Sequence, residues 1–116
     1  MRGVVLAAPV LPEKVEAWRE WSRDLAEGPR RNEFVTFMKK CSLSRDRCWL
    51  QENPEDTLAI ILYEGETPEI FLQQIGISQE PFAVWFREKV KDLHGIDMSK
   101  PMKGPPSEQV TDIQVD

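Results

Sequence analysis

An α+β domain with the chain order strand, helix, two strands, helix, strand is what this sequence predicts, and three observations predict it. GVVLAAPV (residues 3 to 10) and TLAIILYE (residues 57 to 64) are short runs apolar at nearly every position, as strands covered on both faces are. RDRCWLQ (residues 45 to 51) alternates with the period of a strand. Between and after them lie segments whose apolar residues recur at helical spacing. The order matches the ferredoxin-like βαββαβ arrangement, with a four-stranded antiparallel sheet and each helix broken into two pieces.

The first helix starts at Pro12, which suits a first helical turn, with Glu13 and Glu16 at its positive end. Leu11, Val15, Trp18, Ser22 and Leu25 form its inward stripe, and Gly28-Pro29 ends it. In the next helical piece, Phe34, Phe37, Met38 and Cys41 fall on one face, so Cys41 points inward. On the strand of residues 45 to 51, Cys48 and Leu50 share one side while Arg45, Arg47 and Trp49 share the other. ENPED makes a turn that joins this strand to residues 57 to 64 as an antiparallel hairpin.

Thr67 and Pro68 open a short helix that Gly76 is expected to end, and Ser78 begins another. Phe82, Trp85, Phe86, Val90 and Leu93 make the apolar face of that last helix, and Gly95 is its left-handed stop. SKPMKGPPSE (residues 99 to 108) reads as an extended connection, and VTDIQV (residues 110 to 115) as a fourth strand with Thr111, Ile113 and Val115 on one face. The first and third strands are expected at the centre of the sheet.

The 116 residues, 41% of them hydrophobic, suit one domain over residues 1 to 116. Twenty acidic against fifteen basic residues give a net charge of -5, which repels nucleic acid and anionic lipid. GVVLAAPVL is too short to span a bilayer, and no signal peptide is legible, so a cytoplasmic protein is expected. Cys41 and Cys48 read as free thiols, and with a single histidine and no Cys-x-x-Cys spacing no metal and no cofactor is assigned.

EPFAVWFREKVKDLHGIDM, with EKVEAWREWSRDL, CWLQ and LAIILYE, resembles a family of small uncharacterised proteins with dimeric α+β barrel folds. The likeness covers most of the chain and implies the fold and a homodimer, with no activity attached. The wider set of such barrels includes cofactor-independent monooxygenases, haem-degrading enzymes and small isomerases, and one fold hosting many chemistries does not choose among them.

Five residues are candidates for a site. Arg45, Arg47 and Trp49 make a basic, aromatic strand face suited to an anionic small molecule, although an edge strand shows water the same charges. Tyr63 is a hydrogen-bond donor at the end of the hairpin. His94 is a weak candidate general base, set against a helix-terminal histidine whose charged form the helix dipole favours and whose pKa is therefore expected above the ordinary value. Two functions are open: a homodimeric small-molecule-binding protein, including a cofactor-independent enzyme, or a non-catalytic protein-protein interaction module using KPMKGPP. The homodimer is expected to form through the sheet, because both central strands are apolar on both faces.

Overall fold

The computed structural model describes residues 2–100 and 107–115. Strand β1 (Arg2–Val10) leads through a 3-10 turn at Pro12–Lys14 into helix α1 (Val15–Glu27) and helix α2 (Arg31–Lys40). Strands β2 (Leu43–Glu52) and β3 (Thr57–Gly65) form the hairpin, and helices α3 (Pro68–Ile77) and α4 (Pro81–His94) follow. All pairings are antiparallel and the sheet order is β1-β3-β2.

Among the described residues the sheet therefore has three strands, which corrects the expected four-stranded ferredoxin-like arrangement. Only β3 is central, and β1 is an edge. Residues 107–115 belong to no helix or strand and are exposed, with Val110, Ile113 and Val115 at 82%, 82% and 90%. One backbone bond ties them back, from the Ser107 N–H to the Val5 carbonyl at 3.1 Å. The segment alternates Thr111, Ile113 and Val115 with Asp112 and Gln114. Two branched apolar side chains on one face bury too little to offset the ordering of six residues, each costing about 1–2 kcal/mol. The proline-rich stretch proposed as an interaction motif lies, apart from Lys100, outside the described residues.

Pairing fixes which side chains share a face. Val4, Tyr63 and Asp46 stand in one inner row, Leu6, Ile61 and Cys48 in the next, and Ala8, Ala59 and Leu50 in a third. The outer rows place Val5, Leu62 and Arg47 together, then Ala7, Ile60 and Trp49. The helices cover the inner face, where Val10, Ala59 and Tyr63 are buried. Val5 is 39% exposed and Trp49 48% exposed on the outer face, so the apolar character of β1 on both sides is not matched by cover on both sides of this single chain.

The core is aromatic. Phe34 stacks on Phe82 and Phe86 at 5.8 Å, and Phe37 meets Phe71 edge-on at 6.0 Å. Phe71 and Ile75 of α3 are wholly buried, and Cys41 lies among these residues as expected. Both cysteines are free thiols. Gly76 falls inside α3 instead of ending it, and its place there is one of close approach: a Cβ would stand 2.7 Å from the Met98 carbonyl oxygen. The chain leaving α4 crosses α3 at that point. Gly95 ends α4 in the left-handed conformation, φ 72°.

Candidate functional site

Alternation along β2 divides the residues that the sequence put together. Arg47 and Trp49 project from the outer face, where Arg47 pairs with Glu64 at 2.7 Å and its guanidinium lies 5.8 Å from the Trp49 ring centroid. Tyr63 and His94 are on the inner side, both buried. The five candidates therefore do not converge. Arg45 contributes to the rim of an inner cavity, next to a register irregularity between Leu43 and Arg45.

That cavity is the most site-like feature among the described residues. It occupies about 1270 Å³ between the inner sheet face and helices α1 and α2. Leu6, Ala8 and Ile61 form its floor, and Trp18, Trp21 and Phe34 stand on the helical side. Ligand sites in proteins generally run to about 300–1,000 Å³ and are mostly apolar with a few placed polar groups; this cavity is larger and partly open, and its lining is of that kind.

His94 contributes to the wall but is held in place. Its Nε2 accepts a hydrogen bond from Trp18 Nε1 at 3.2 Å, which leaves Nδ1 carrying the proton donated to the Pro9 carbonyl at 2.7 Å. The backbone is tied at the same place, with the Leu11 N–H donating to the Leu93 carbonyl at 2.9 Å. His94 thus joins the ends of β1, α1 and α4. Burial lowers its pKa from the ordinary 6.5, and the Pro9 bond offsets only part of this. This corrects the raised value expected from the helix terminus. A second ring proton would confront the Trp18 N–H, and a dipole effect within one helix turn does not overcome that in a buried site. With both nitrogens engaged, His94 is no general base in this conformation.

Two residues outside the five candidates, Asp46 and Trp21, also line this cavity. Trp21 is 8% exposed and its ring lines the cavity, while its indole Nε1–H is closed off from solvent and has no partner among the described residues. Asp46 stands on the same wall, in the inner row of Tyr63. Confinement by the surrounding protein raises its carboxyl to about 6, and a hydrogen bond from Cys48 Sγ at 3.3 Å opposes the rise. Cys48 keeps open surface yet is ringed by protein, as a group on a deep wall is. Its thiol is pushed well up, first by that confinement and then by the charge of Asp46, so it is a poor nucleophile. The Tyr63 hydroxyl is likewise raised by burial, with smaller contributions from Asp46 and Cys48.

No protein-family model, no curated protein and no solved structure matches this chain. The resemblance to small dimeric α+β barrel proteins therefore rests on the quoted residues alone. Among the described residues no group of three or more His, Cys, Asp or Glu is placed to hold a metal ion, and no helix is long and apolar enough to cross a membrane.

Both residues left a trace in the sequence. Asp46 has the parity of Cys48 and Leu50 on an alternating strand, and Trp21 lies three residues after Trp18 and four before Leu25 on the stripe of α1.

Proposed function

We propose that this protein binds a small organic molecule in the cavity between its sheet and helices α1 and α2, and that it works as a homodimer joined through the outer sheet faces. The observation that carries the binding reading is the Asp46 carboxylate, without an ion-pair partner among the described residues, on the mostly apolar wall of a cavity of about 1270 Å³. Ligand pockets are concave and mostly apolar with a few placed polar groups, and an unpaired carboxylate on such a wall is a group of that kind.

The outer face supports the dimer. Val5, Ala7, Ile60 and Leu62 form a continuous apolar block across β1 and β3, flanked by Trp49 and by the Arg47–Glu64 pair. Monomers seldom leave broad apolar faces open, and a two-fold axis brings the same block of a second copy against this one.

Native mass spectrometry of protein purified from its own host tests both statements together. The reading expects twice the subunit mass with a small molecule retained under gentle conditions and released on unfolding. A bare monomer at micromolar concentration contradicts the dimer. Absence of any bound molecule, with no uptake from a metabolite extract, contradicts the binding function.

A further inference from the structure

The inner row of β2 carries a carboxylate with nothing to balance it. Among the described residues the one hydrogen-bond partner of Asp46 is Cys48 Sγ, and no Lys or Arg forms an ion pair with it. Charges confined by protein are ordinarily paired, because the attraction of a partner must replace lost hydration. An inward charge on an edge strand also discourages addition of further strands. That accounts for a charge on β2, but not for its place on the wall of a ligand-sized cavity. The same cavity is lined by Trp18, Trp21, Phe34 and Phe86, whose ring faces attract cations.

We propose that the cavity takes an organic cation, a protonated amine or quaternary ammonium bearing an apolar body, with Asp46 opposite the positive charge. The inference rests on the binding reading above and adds the ligand's chemical class. Its apolar body would lie over Leu6, Ala8 and Ile61 on the sheet. Arg31, Lys39, Arg45 and Lys100 also contribute to the lining, but all four residues are exposed, whereas Asp46 is confined. Exposed basic groups are solvated without a ligand, so the unpaired carboxylate is the more informative charge.

Calorimetry with three probes of one chain length, each below its micelle concentration, tests the class. These are decyltrimethylammonium, decan-1-ol and decyl sulfate. The expected result is that the ammonium binds about tenfold or more tightly than the alcohol, as one charge-assisted contact provides. Asp46→Asn should remove that preference. An alcohol that binds as tightly as the ammonium, a sulfate that binds tightest, or a preference that survives in Asp46→Asn overturns the inference and leaves the cavity a ligand site. Failure of all three probes to bind overturns the binding reading and this inference with it. The comparison among probes uses the unaltered protein, so it stands whether or not the variant folds.

Discussion

The two halves of the space beneath the sheet are built differently. On the α3 side, Phe71 and Ile75 are wholly buried and Phe71 touches the rings of Tyr63, Phe34 and Phe37. On the α1 side, Trp18, Trp21 and Leu25 face the sheet across an open cavity, with Asp46 and Cys48 on the far wall. One half is close-packed and supplies stability, since each buried ring contributes area and many short contacts. The other gives up those contacts and keeps a carboxylate without an ion-pair partner on a mostly apolar wall. A hollow of that kind is a cost that folding alone does not explain.

The largest expected effect comes from the packed half. Phe71→Ala should destabilise the protein by about 3–5 kcal/mol in urea denaturation, because the surrounding rings cannot collapse into the space. A loss below about 1 kcal/mol would show that this half is also loose.

Next comes the residue that joins the two halves. His94→Phe leaves Trp18 Nε1–H and the Pro9 carbonyl without partners, at a cost of about 3 kcal/mol. Retention of full stability would remove the histidine's structural role and reopen its chemistry.

The pH dependence separates His94 from Asp46. His94 has a folded pKa below its ordinary 6.5, so the unfolded chain binds the proton first. Its contribution is whole above pH 6.5 and declines as pH falls below that value. Asp46 has the opposite sign. Its folded pKa, about 6, exceeds the ordinary 3.8, so stability rises as pH falls through 6 and the gain levels off near 3.8. Denaturation from pH 7 to 4 should therefore show His94→Phe without the acid decline and Asp46→Asn without the acid gain. Asp46→Asn should also be more stable than the parent at pH 7, by about 1 kcal/mol once solvent access to the cavity wall is discounted. If the two variants give parallel pH profiles, the assignment of these shifts is wrong.

The smallest effect is expected in the hollow half. Ile61→Ala removes a side chain from the cavity floor, where it already lacks neighbours on one side, and should cost about 1 kcal/mol. A loss equal to that of Phe71→Ala would mean that the cavity closes in solution.

Much of this architecture can be read from local pattern. The three paired strands, the hairpin, the breaks between α1 and α2 and between α3 and α4, the inward Cys41 and the left-handed Gly95 each follow from residues close in sequence. What fails depends on partners far away. The helix terminus at His94 suggests a charged ring, but its acceptor role is set by Trp18, 76 residues distant. The candidate group of Arg47, Trp49 and Tyr63 joins residues whose strands are individually legible. The register of β2 against β3 sets Tyr63 opposite Asp46 and Arg47 opposite Leu62, and one residue of register decides which face each occupies. Residues 110–115 have a strand's alternation, yet two apolar side chains are too few to hold them on an edge.

The indole N–H resonances of the four tryptophans offer the most direct test of the claim that the hollow half is a ligand site. Titration of 15N-labelled protein with decan-1-ol should move the Trp21 indole signal, because its ring lines the cavity, while that of Trp49, on the outer face, moves little. An unmoved Trp21 signal at saturating alcohol, or a shift confined to Trp49, would contradict it.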